Sequence, residues 1–237
     1  MATLAQEPAR GLSFWQKMAL GMALFIVFGF AQFAARGFVD LGAAPVWLHL
    51  HGAVMLSWLI LLVVQPTLIA GGNAALHRKL GWFGLALAAL VIAVGSFVAL
   101  KSIAMGRVPP FFTPPYFLAL THVGLVAFAG LVIAAIVRRC EQEWHQRLLI
   151  GSAILLMEPA LGRVLPMPLI IPWGETGVML VQLGVAWLMV RHDRRALGAI
   201  HPATKVVIAA IVLNHLLLEV LGRTPLFAAW AGALAQG

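Results

Sequence analysis

Cysteine occurs once in this chain, at Cys140, and aspartate only twice, at Asp40 and Asp193. A single thiol excludes an internal disulfide and any thiolate metal cluster. Cys140 follows Arg138 and Arg139 at an expected cytoplasmic edge, where a reduced thiol is the norm. Charge of either sign is scarce, at 10% of residues, and acids are outnumbered by bases, 8 to 16. No soluble domain, polar linker or low-complexity tract is visible, so residues 1–237 read as one polytopic domain.

What fills the chain instead is apolar: 62% of residues are hydrophobic and the mean hydropathy is +0.97. A soluble fold could not hide that much apolar surface, so lipid must cover it. The fold class is therefore all-α integral membrane. A net charge of +8 could suggest nucleic acid, but the placement of the basic residues at the ends of apolar runs assigns them to membrane-flanking loops and excludes that partner. The first apolar run is longer than a signal-peptide core and lacks a small-residue cleavage site, so it is expected to stay as a helix.

A spanning helix needs about 20 mostly apolar residues. Runs of that kind occupy 14–35, 46–70, 80–101, 116–138, 146–165, 174–191 and 204–222, which predicts a bundle of about seven transmembrane helices. The sixth is the weakest, being short and opening on Glu175. The tail 224–237 is apolar but too short to span, and is expected to lie at the interface. Proline and glycine punctuate the runs at Pro109-Pro110, Pro114-Pro115, Pro166, Pro168, Pro172 and Gly71-Gly72.

With seven spans, one side receives Arg10, Lys17, Arg78, Lys79, Arg138, Arg139, Arg147, Arg191, Arg194, Arg195 and Lys205, and the other Arg36, Lys101, Arg107, Arg163 and Arg223. Eleven against five puts the N-terminus in the cytoplasm and the C-terminus outside, in the periplasm if the setting is a bacterial inner membrane. A homodimer is an allowed assembly.

Ionisable residues inside such spans are costly and tend to be functional. Four histidines recur at matched depths. His51 and His122 each lie a few residues into a span from the outer side, while His77 and His145 each open the following span from the inner side. The spacings His51 to His77 and His122 to His145 are 26 and 23 residues, a faint hairpin repeat that His201-Pro202 continues and Gln182 interrupts. Two neutral imidazoles from neighbouring helices can ligate one haem iron. Gly52, Ala53, Gly124, Ala127 and Gly130 would leave room for a flat macrocycle, and Met55, Trp58 and Phe128 could line it.

The stretch His51-Gly52-Ala53-Val54-Met55-Leu56-Ser57-Trp58, continuing to Gln65-Pro66 and Ala70-Gly71, resembles the first haem-ligand helix of the cytochrome b561 superfamily. The likeness covers roughly residues 46–165 and extends more loosely to His77-x-x-x-Gly81 and His145-x-x-x-x-x-Gly151. It implies a four-helix core, helices two to five, with His51 paired with His122 and His77 with His145 around one or two haem b groups. It also implies electron input from a quinol, ascorbate or a redox partner protein, with Arg78, Lys79 and Arg147 holding an anionic donor. The chain departs from the family in placing His77 and His145 at helix starts rather than deeper.

Further polar residues leave other functions open. Glu158 lies within the fifth span with Arg163 about one turn on, and Glu219 lies in the seventh with His215 one turn before and Arg223 one turn after. His215, Glu158 and Glu219 could hold zinc, copper or non-haem iron in a metal-dependent membrane enzyme, or form a proton path in a transporter or assembly factor. His49 points to a different helix face from His51, and His192, among Arg191, Asp193 and Arg194, is expected to be solvated.

Overall fold

The computed structural model describes residues 11–236. Arg10 and the polar lead before it, and Gly237, lie outside the described residues. Every regular element among the described residues is a helix: α1 (Phe14–Ala35), α2 (Val46–Ala70), α3 (Ala74–Ala104), α4 (Pro114–Val137), α5 (Gln142–Leu155), α6 (Glu158–Val164), α7 (Met167–Ile170), α8 (Gly174–Leu197), α9 (Pro202–Leu221) and α10 (Pro225–Gln236).

The helix ends follow from local chemistry. Ser13 and Gln16 form a reciprocal capping box that starts α1: the Ser13 hydroxyl accepts from the Gln16 amide at 3.3 Å, and the Gln16 side chain accepts from the Ser13 amide at 2.8 Å. Asn73 caps α3 by accepting from the Leu76 amide. Proline opens α4 and α9, where a missing N–H costs nothing. Gly198 stops α8 in the left-handed conformation, φ 74°, that a residue without Cβ adopts freely.

Five helices are long and apolar enough to cross a bilayer: α1, α2, α3, α4 and α9. The expected fifth and sixth spans are built differently. Run 146–165 is not one helix. Glu158-Pro159 interrupts it, because Pro159 has no N–H to offer the Leu155 carbonyl four residues back, and the chain restarts as the seven-residue α6. Run 174–191 forms α8, a 24-residue helix that continues into Arg194 and Arg195 and is too polar to stand with the other five. The tail does more than rest at an interface: α10 is a helix packed on α4 and α3.

The centre of the molecule is α5. It touches α1, α4, α8 and α9, and Arg147, Leu148 and Ile150 through Leu155 are all buried. Beyond its exposed first turn, Gln142 and Glu143, the helix is enclosed by its neighbours. Gly151 lets α9 approach, since a Cβ there would collide with the Val207 side chain. The hairpin α2–α3 lies to one side, sealed to α4 by a small cluster that includes Val54, Trp58, Leu87, Val91 and Phe128. The Trp58 and Phe128 rings meet edge to face, with centroids 5.3 Å apart. The histidine-bearing helices pack in sequence, α2 on α3, α3 on α4 and α4 on α5, and α5 also reaches α1, α8 and α9. Large apolar side chains such as Leu24, Phe28, Leu56, Trp82, Val126 and Leu213 face outward, as lipid contact requires.

Candidate functional site

The structure brings His77 and His145 together. Because α3 begins at Ala74 and α5 at Gln142, each histidine is the fourth residue of its helix, one turn inside rather than at the opening. Their ring centroids are 6.2 Å apart and their planes are nearly perpendicular, at 86°. His145 Nδ1 lies 2.8 Å from the Ala135 carbonyl on α4, so Nδ1 carries the proton and Nε2 is left with a free lone pair. An imidazole held through one nitrogen by a backbone carbonyl is the usual arrangement behind a metal-ligating histidine. His77 lies near the Gln65 carbonyl, yet its buried Nδ1 has no hydrogen-bond partner.

The separation of the two rings can be compared with what a metal needs. A metal–imidazole bond is about 2.0–2.1 Å. Adding the distance from the nitrogen to the ring centre on each side puts two imidazoles on opposite sides of one ion roughly 6 Å apart, centre to centre. The 6.2 Å between the two ring centroids matches that distance. The perpendicular planes are compatible with it, since each ring can rotate about its own metal–nitrogen axis.

The outer pair is arranged otherwise. His122 Nδ1 donates to the Leu118 carbonyl at 2.8 Å, its Nε2 faces the Ser96 hydroxyl at 3.0 Å, and its ring neighbour is Trp230 of α10 at 5.3 Å. Both nitrogens are therefore engaged within the protein. His51 on α2 is half-buried with an unpartnered Nδ1. His49 is exposed.

Of the three residues expected to hold an anionic donor, Arg78 and Lys79 are exposed beside His77, but Arg147 is fully buried. Arg147 donates to Asp193 at 2.6 and 3.0 Å, to the Glu143 carbonyl at 2.9 Å and to the Glu143 carboxylate, and stacks over Trp15. The other Asp193 oxygen accepts from the Thr204 hydroxyl at 2.6 Å and the His201 amide at 3.0 Å. Burial pushes the Asp193 carboxyl up, but the hydrogen bonds from Arg147, Thr204 and His201 outweigh it and hold the group below the usual carboxylate range. This junction ties α5, α8 and the start of α9 together. Sequence reasoning missed it; the one signal was an acid standing alone in a basic run, Arg191 to Arg195. His192 beside it is not solvated but half-buried, stacked on Phe14 with centroids 4.0 Å apart.

The remaining polar residues gather around the break between α5 and α6. Gln182 of α8 donates to the Ile154 and Leu155 carbonyls at 3.2 and 3.4 Å, replacing the bond that Pro159 cannot make. Its carbonyl oxygen meets His215 Nε2 at 3.0 Å. Glu175 lies on the far side of the same imidazole, 3.9 Å from Nδ1. Glu219 accepts from the Tyr116 hydroxyl at 2.6 Å and pairs with Arg223, as the one-turn spacing predicted. The other expected pair does not form. Arg163 is five residues beyond Glu158, not four, and its guanidinium turns instead to the Pro159 carbonyl and the faces of Phe30 and Phe33. Among the described residues, no three of the His, Cys, Asp and Glu side chains converge tightly enough to hold a metal ion, which leaves the expected His215, Glu158 and Glu219 site without a common centre.

The chain matches no family model, no curated protein and no solved structure.

Proposed function

We propose that the chain is a b-type haem-binding electron-transfer protein of the membrane, a reductase linked to a quinol, ascorbate or a protein donor. The observation that carries this reading is the His77–His145 pair. Two imidazoles from different helices stand at the spacing one iron needs, one of them oriented by a backbone carbonyl so that its Nε2 points free. His77 and His145 would hold the iron, and a bound haem b would supply one-electron chemistry that no side chain here can supply. The protein's share is orientation and exclusion of water. Ala135 fixes the His145 tautomer.

On this reading Arg78 and Lys79, exposed next to His77, receive an anionic donor, while Arg147 serves the fold. A second haem on His51 and His122 would require His122 Nε2 to release Ser96, so the reading places one haem at the inner pair first. It also takes the chain to cross the membrane seven times, with α5 and α6 as one broken span and α8 as another, N-terminus inside.

The test is an optical spectrum of the purified protein, oxidised and dithionite-reduced, with pyridine haemochrome quantitation. The expected result is a Soret band that shifts on reduction and close to one haem per chain. His77→Ala and His145→Ala should each abolish it, while His122→Ala should keep it. A colourless, iron-free protein, or haem that survives both inner substitutions, would end this assignment.

A second reading, proton movement through the outer polar cluster, is favoured by the broken helix at Glu158-Pro159 and the buried Glu175 and His215 beside it.

A further inference from the structure

Gln182 decides the state of His215. Its amide nitrogen must face the Ile154 and Leu155 carbonyls, which only accept, so its oxygen must face His215. His215 therefore carries its proton on Nε2, donating to that oxygen, and Nδ1 is a bare lone pair. Opposite Nδ1, at 3.9 Å, stands Glu175 Oε2, an atom that also only accepts when ionised. Neither atom has a hydrogen-bond partner and both are sealed from solvent. The two residues are 4% and 8% exposed.

Two facing acceptors with no donor between them form a site that lacks a hydrogen. The separation is too long for a direct hydrogen bond. A proton needs no volume, and once it is bound either residue becomes the donor the other requires.

We propose that Glu175 and His215 form a proton-binding site inside the bundle, holding one proton between the Glu175 carboxylate and His215 Nδ1. This site is independent of the haem reading. Glu219 is one turn beyond His215 on the same helix face, half-buried, and bonded to Tyr116 and the exposed Arg223. The ionisable groups around the pair are few. Helix α6 presents Glu158; α4 presents Tyr116, while its His122 turns away to Ser96 on α3. Helix α9 presents Glu219 and Arg223, α5 presents the Ile154 and Leu155 carbonyls, and α7 has no ionisable residue. Protonation at the pair takes a proton from bulk water and neutralises one unit of negative charge, with no bond to carbon made or broken.

The full chain in lipid nanodiscs, ¹⁵N-labelled at histidine, tests this by NMR across an acid-to-alkaline titration, with His215 assigned by the signal missing from His215→Gln. The expected result is an Nε2–H tautomer with bare Nδ1 at high pH, and protonation of Nδ1 or a new hydrogen bond to it as pH falls. Gln182→Met removes the oxygen that fixes the tautomer and should shift population to Nδ1–H. Infrared difference spectra over the same range should show a protonated-carboxyl or carboxylate band that changes with pH in the wild type and is lost in Glu175→Gln. Wild-type His215 whose Nδ1 stays protonated, or stays bare and unbonded, at every pH would overturn the proposal, as would an unchanged carboxyl difference band in a folded Glu175→Gln. Should Glu175→Gln fail to fold, the wild-type tautomer titration decides alone. Haem content plays no part in either readout, so loss of the haem assignment would leave this one standing.

Discussion

With its carboxylate shared among Arg147, Thr204 and the His201 amide, Asp193 cannot be replaced without leaving the buried Arg147 guanidinium only Glu143 as its acidic partner. Removing one partner of a buried ion pair typically costs about 3–5 kcal/mol. Asp193→Asn is expected to fall in that range, read as a lowered thermal unfolding midpoint in detergent. The pH dependence follows from the direction of the carboxyl's displacement. A group whose folded pKa lies below its unfolded value, about 3.9 for aspartate, contributes its full stability above that value and loses it as pH falls through the folded one. The wild type should therefore lose part of its stability only in strong acid, and Asp193→Asn should lack that component. If the two proteins show the same acid profile, Asp193 is not the titrating support described here. At this scale the sequence singled out the costly polar residues and said little about their partners. His77 and His145 stood out as a matched pair, and Glu219 with Arg223 could be read from one-turn spacing. Arg147 looked like a surface anion binder because nothing local announces Asp193, 46 residues away.

The elements show the same division. Spans 14–35 and 46–70 could be bounded to the residue, since a long apolar run ending in glycine or charge has few ways to fold in lipid. The fifth could not, because hydropathy alone does not distinguish a continuous helix from one that proline divides. Gly151 offers a test of how closely the central rod is packed. A Cβ there meets Val207, so Gly151→Ala forces α5 and α9 apart, and overpacking of this kind costs about 1–3 kcal/mol. Gly151→Ala together with Val207→Ala should recover most of the loss, and failure of the double variant to recover would show that the contact is not the cause. Gln182→Leu should also destabilise the chain, by leaving the Leu155 carbonyl without a donor in a dry interior; an unchanged unfolding midpoint would mean water satisfies it.

For the whole molecule, the single cysteine is a convenient reporter. Cys140 is exposed in the turn between α4 and α5. If the N-terminus is inside, as proposed, a membrane-impermeant maleimide added to intact cells should leave it unlabelled, and inverted vesicles should label it fully. Labelling of intact cells would reverse the orientation deduced from the basic residues.

Composition by itself determined that this chain lives in lipid as a set of helices, because so many apolar residues with so few charges have no other stable environment. It also marked the histidines and buried acids as the costly residues, since charge in a membrane is expensive wherever it falls. Only the tertiary structure decided which of them meet. The contacts that pair His77 with His145, turn Arg147 inward and set Glu175 against His215 join residues 40 to 68 positions apart in the chain. They depend on how α5 is enclosed by its neighbours, and no periodicity within one helix records that.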